Sequence, residues 1–100
     1  MDYAIVWTDP ALADFEGVIR YVFERNPSAA EALRLAVLDH VDLLARLPFI
    51  GPRYERDQTG RAREIVCGAY RIFYRINETE KKVEILTVWH GARDEPALPE

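Results

Sequence analysis

The sequence is poor in the residues that build redox and metal chemistry. Cys67 is its single cysteine, so no internal disulfide can form. It has only two histidines, His40 and His90, set far apart. One cysteine and two distant histidines do not make a standard zinc site. No glycine-rich phosphate loop and no Gly-x-Ser-x-Gly elbow occur, which removes the usual nucleotide-binding and hydrolase signatures. No cofactor or metal is signalled. No apolar run approaches the length needed to cross a bilayer. No basic cluster precedes an apolar stretch at the start of the chain, so no secretory signal is expected and the cytoplasm is the default location.

What remains is an ordinary globular mix over 100 residues, 49% apolar and 30% charged. That length suits one domain spanning residues 1–100. The formal net charge is −4, but it is unevenly spread. Between Arg46 and Arg75 seven arginines (46, 53, 56, 61, 63, 71 and 75) stand against Glu55, Asp57 and Glu64, a net of +4. The rest of the chain therefore carries −8. A basic middle in an acidic chain points to one local surface for an anionic partner.

Residues 3–8 are β-branched and aromatic and read as a strand. Both of its faces are rather apolar, which predicts an inner position in a sheet. Asp9 and Pro10 predict a helix start, with Asp9 as cap. Leu12, Phe15, Ile19, Val22 and Phe23 recur at helical spacing up to Arg25. Asn26-Pro27 stops that helix and opens another, capped by Asn26 or by Ser28 with Glu31. Leu33, Val37, Val41, Leu44 and Leu47 form the second apolar stripe, with His40 at its edge. A link this short predicts an antiparallel helical hairpin. Residues 49–60 read as a loop.

Three strands follow. Residues 61–66 lead through Cys67-Gly68-Ala69 into Tyr70-Arg71-Ile72-Phe73-Tyr74-Arg75-Ile76, and after a polar turn residues 82–90 form the last. Alternation puts Tyr70, Ile72, Tyr74 and Ile76 on one face and Arg71, Phe73 and Arg75 on the other. The first set suits a core. The second presents two guanidinium groups around an aromatic ring, a surface for phosphate or an acidic partner. In the last strand, alternation groups Trp89 with Val83 and Ile85 as core. Residues 94–100 read as a loose tail. The predicted fold is α+β, in the order β-α-α-β-β-β, with an antiparallel-rich sheet and a helical hairpin on one face.

Several segments in this order resemble the RelE/ParE superfamily of type II toxin–antitoxin, or plasmid-stabilisation, proteins. They are Thr8-Asp9-Pro10-Ala11, Arg25-Asn26-Pro27-Ser28-Ala29-Ala30, Leu47-Pro48-Phe49-Ile50-Gly51, Tyr70-Arg71-Ile72-Phe73-Tyr74-Arg75 and Val88-Trp89-His90-Gly91-Ala92-Arg93. The last two look closer to the ParE-like branch. That resemblance implies a toxin that inhibits DNA gyrase without chemistry of its own and is neutralised by a cognate antitoxin, in a heterotetramer as one arrangement. It implies antitoxin- or target-binding roles for Arg61, Arg63, Arg71, Phe73, Arg75 and Arg93.

The alternatives within the resemblance are a RelE-like, metal-independent, ribosome-dependent mRNA endoribonuclease and a non-toxic relative that only binds antitoxin. In the endoribonuclease reading Arg71 and Arg93 fall at phosphate-binding arginines and His90 serves as general acid or base. The lysine pair of the RNA-cutting relatives is absent, and Arg61, Arg63 and Glu64 occupy its region. The tyrosine those relatives carry beyond the last arginine is also absent.

Overall fold

The computed structural model describes residues 2–93 and 95–98. Its elements are β1 (Ala4–Trp7), α1 (Asp9–Arg25), α2 (Pro27–Arg46), β2 (Ala62–Cys67), β3 (Tyr70–Asn77) and β4 (Lys82–His90). The sheet order is β1-β4-β3-β2. The last three strands form the expected antiparallel meander, and β1 joins it parallel to β4.

β1 is therefore an edge strand, not the inner strand that its apolar composition predicts. Tyr3, Ile5 and Trp7 pack on the core, while Ala4 and Val6 are exposed. Composition alone does not separate an apolar strand covered on both faces from one whose outer residues are small enough to leave in water.

The cap of α1 also differs by one residue. Thr8, not Asp9, accepts from the Ala11 N–H through its hydroxyl, at 3.3 Å. The same hydroxyl donates to the Ile85 carbonyl at 2.7 Å, so it fixes the helix start to β4. Asn26 alone separates the two helices. Its backbone N–H closes α1 on the Val22 carbonyl, and its side chain opens α2 by accepting from Ala29 N–H. One residue thus satisfies orphan groups at two helix ends.

The helical hairpin covers one face of the sheet. Phe15, Val37, Val41 and Leu44 bury against Ile72, Tyr74, Val83, Ile85 and Val88. Leu12, Phe23 and Leu47, expected in the two apolar stripes, are exposed, Leu47 as the cap residue beyond the end of α2.

The opposite face carries a second, smaller core of Tyr54, Ala62, Phe73 and Leu86, with Trp89 and Leu98 against it. Here β4 breaks its alternation. Phe73 pairs with Thr87 and Tyr74 with Ile85, so Leu86 is an extra, bulged residue. Beyond the bulge the faces exchange. Trp89 therefore packs opposite Val83 and Ile85, a correction to strict alternation. The tail corrects a second expectation. Pro96 is buried and Leu98 packs on the second core, so residues 95–98 are held rather than loose. Asp94, Pro99 and Glu100 lie outside the described residues.

Tyr74 is fully buried, yet its hydroxyl is satisfied twice. It donates to the Pro48 carbonyl at 2.7 Å and accepts from the Gly51 N–H at 3.0 Å. Gly51 is buried, and a Cβ there would lie 2.5 Å from the Glu64 carbonyl oxygen and 2.6 Å from the Tyr74 hydroxyl. Residues 48–51 are thus clamped to the sheet. Tyr74→Phe removes both bonds and leaves two buried backbone groups unpaired, so urea unfolding is expected to show a loss of about 1–3 kcal/mol. Gly51→Ala is expected to destabilise by a similar order through steric displacement, about 1–3 kcal/mol, in the same measurement.

Candidate functional site

The face of β3 turned away from the helices carries Arg71, Phe73 and Arg75, as alternation requires. It is not the open cationic surface that the sequence predicts. Phe73 is fully buried in the second core. The Arg71 side chain is 18% exposed and held by two carboxylates. Its Nη2 lies 2.7 Å and its Nε 2.9 Å from Glu64 Oε2. Its Nη1 lies 3.0 Å from Glu95 Oε2. The guanidinium is also 4.8 Å from the Phe73 ring centre and 5.6 Å from that of Tyr54. Arg75 pairs with Glu84 at 3.1 Å.

The electrostatics follow from this enclosure. Burial pulls the Arg71 pKa down, but hydrogen bonds to Glu64 and Glu95 outweigh it and the pKa rises. Glu95 is held below the usual carboxylate range, first by the Tyr54 hydroxyl, which donates to it at 2.7 Å, and then by Arg71. The Tyr54 hydroxyl is pushed up to about 12, chiefly by desolvation and then by Glu95. Arg71 is thus a charge already answered within the chain.

The other predicted residues lie elsewhere. His90 is the register partner of Tyr70, and their rings meet edge to face with centres 5.2 Å apart. Tyr70 packs on the helix-side core, so His90 and Arg71 occupy opposite faces. His90 Nδ1 accepts from the Ala92 N–H at 3.1 Å, which assigns the ring proton to Nε2 in the neutral form.

Arg93 sits in the turn at the end of the sheet, its guanidinium 4.2 Å from the Trp89 ring centre. This turn hugs the β2–β3 hairpin. The Gly91 N–H donates to the Ala69 carbonyl at 2.8 Å, and a Cβ on Gly91 would lie 4.0 Å from Arg71 Cδ. His90 and Arg93, with Asp14, Tyr21 and Tyr70, border an open cleft of about 530 Å³ beside α1. Arg71 does not line it. Arg63 donates from Nη1 to the Gly51 carbonyl at 2.7 Å, and Arg61 is exposed at the start of β2. The three residues required by an endoribonuclease reading are therefore divided between two faces.

A model of the ParE toxin of type II toxin–antitoxin systems (parDE) matches residues 5–95. The chain belongs to the ParE toxin family. No functionally curated sequence matches it significantly. Among solved structures, this ParE-family chain is similar to a chain of the RelBE2 toxin–antitoxin complex of Mycobacterium tuberculosis. They share 25% identity and a TM-score of 0.67, over 90% of this chain and 99% of the other. A chain of the chromosomal ParDE system of P. aeruginosa matches with a TM-score of 0.73 at 16% identity, covering 88% and 95% of the two chains. A chain of the archaeal RelE–RelB complex of Pyrococcus horikoshii matches at 18% identity and a TM-score of 0.50, covering 94% and 100%. The last two likenesses concern the fold.

Sequence reasoning missed Tyr54 and Glu95 and did not connect Glu64 to Arg71. The Glu64 partnership has a signal, since Glu64 pairs with Phe73 and Val66 with Arg71 on the adjacent strand. Glu95 has none, because its contact closes over 24 residues.

The Tyr54–Glu95–Arg71 linkage carries a pH prediction. Because the folded-state pKa of Glu95 is depressed, its stabilising contribution is present above the ordinary glutamate value and is lost as pH falls through the lower folded value. Carboxyl NMR of Glu95 is expected to titrate below an ordinary glutamate, with amide protection at residues 95–98 falling in the same range. Glu95→Gln is expected to abolish that acid transition in protection.

Proposed function

We propose that this ParE-family chain is a toxin that inhibits DNA gyrase by binding it and is neutralised by a cognate antitoxin. The observation that supports a binding role over RNA cleavage is the closed state of Arg71. A phosphate-stabilising arginine must offer its charge and donors to the developing oxyanion, whereas Arg71 commits one N–H each from Nε, Nη1 and Nη2 to Glu64 and Glu95, two carboxylates that already answer its charge. His90, on the opposite face, is not placed to move a proton beside it. Arg93 is the exposed cation at the sheet end and is assigned to target contact.

The antitoxin reading is supported by apolar side chains left in water on the helical hairpin. Leu12, Tyr21 and Phe23 of α1 are 44%, 58% and 57% exposed, and Leu35 of α2 is 49% exposed. Leu12 and Phe23, eleven residues apart, share one side of α1, and exposed apolar side chains so placed suit an amphipathic segment of a partner. The similar RelBE2 structure is itself a toxin–antitoxin complex.

Purified protein is expected to reduce supercoiling by DNA gyrase and to accumulate cleaved DNA. Arg93→Ala is expected to weaken both effects by about tenfold, the scale of a lost charged contact at an interface. An untouched gyrase at high protein excess refutes the reading and turns attention to mRNA cleavage on the ribosome. Transcript cleavage that disappears in Arg71→Ala would decide for that alternative.

A further inference from the structure

Folding relocates the positive charge of the central segment. Arg71 and Arg75 are paired with carboxylates. Arg53, Arg61 and Arg63 border a small cleft of about 140 Å³, walled also by Phe49 and Glu78. Arg53 and Arg63 are direct cross-strand partners in an isolated antiparallel bridge. Like charges placed opposite each other are destabilising. No described carboxylate forms an ion pair with Arg53 or Arg63. The fold therefore holds like charges together, with Glu78 on the wall of the cleft but in no described ion pair with Arg53 or Arg63.

Arg63 is also oriented. Both of its hydrogen bonds leave from Nη1, to the Gly51 carbonyl at 2.7 Å and the Phe49 carbonyl at 3.4 Å. Nε–H and the Nη2 hydrogens remain for a planar two-point contact with an oxyanion. The acceptors are themselves fixed, since Gly51 and Pro48 hang on the buried Tyr74 hydroxyl. The Phe49 ring is 50% exposed, with the Arg63 guanidinium 5.2 Å from its centre.

We propose that this cleft is a binding site for a phosphate group, held by Arg63 with Arg53 and Arg61, with Phe49 as a platform for a ring attached to it. Three guanidinium groups match the multiple oxygens and charge of a phosphate better than one carboxylate, and the volume suits a single such group. A free nucleotide and a single nucleic-acid strand share this chemistry. The site stands apart from Arg71 and Arg93 and does not depend on the gyrase reading.

Thermal melting of wild-type protein, Arg53→Gln/Arg61→Gln and Arg63→Gln tests it, in sodium pyrophosphate against sodium chloride and sodium glutamate at equal ionic strength. Arg20→Gln, on exposed α1, is the charge control. Pyrophosphate is expected to raise the wild-type and Arg20→Gln midpoints by about 4 °C or more over chloride. The double variant is expected to lose that shift. The double variant keeps the test decisive if Arg63→Gln fails to fold. An equal shift in chloride or glutamate, or a full shift in the double variant, overturns the proposal.

Anisotropy with fluorescein-labelled oligo(dT) of ten residues, competed by ATP, separates the sources. Binding over tenfold tighter by the strand assigns a nucleic acid, and comparable affinities assign a free nucleotide. In either case the double variant is expected to bind at least tenfold more weakly, and unchanged binding overturns the site.

Discussion

The hydroxyl of Tyr74 is a polar group buried in the helix-side core, and the course of the chain from α2 to β2 depends on it. A buried hydroxyl without partners costs more than the ring beneath it gains at the margin. Here it is used as a clamp between Pro48 and Gly51. Fixing those two residues sets the exit of α2, brings the Pro52 carbonyl to accept from the Glu64 N–H, and positions Arg53 beside Arg63. The clamp is a tertiary bond spanning 23 to 26 residues, so it ties the helical half of the chain to the sheet.

A second constraint acts on the other face. The sheet has to bury Phe73 and Leu86 without a helix layer there, and it uses Tyr54, Trp89 and the 95–98 segment as a cover. Once that cover is in place, Arg71 is too enclosed to remain unpaired, and Glu64 and Glu95 answer it. Desolvation and pairing are therefore one event. An arginine that alternation alone presents to solvent becomes structural because the apolar ring two residues further on has to be covered. The family resemblance implies an interaction role at position 71, whereas the partners that Arg71 has here are Glu64 and Glu95 of its own chain.

Much of the fold was legible from residue order. The helical spacing, Asn26-Pro27 between the helices and the Gly68 turn, where φ is +60°, each mark a local event with a local cause. The errors share a different origin. β1 lies at an edge because of what it pairs with, not what it contains. Trp89 changes face because of one extra residue upstream, which alternation cannot register. The closure of Arg71 depends on a glutamate 24 residues away. The arginines of the candidate sites could be named from sequence, but the distinction between Arg71, paired with carboxylates, and Arg63, bonded to backbone carbonyls, belongs to tertiary structure.

The bulge at Leu86 has a further meaning for how such a chain can change. It is an insertion whose removal leaves every other pair of the β3–β4 ladder intact: Tyr74 still meets Ile85, and Phe73 still meets Thr87. The helix-side architecture is thus indifferent to this residue, while the opposite cover loses one of its buried members. The pairing of the helix-side residues is set independently of the residue that the opposite cover gains at the bulge.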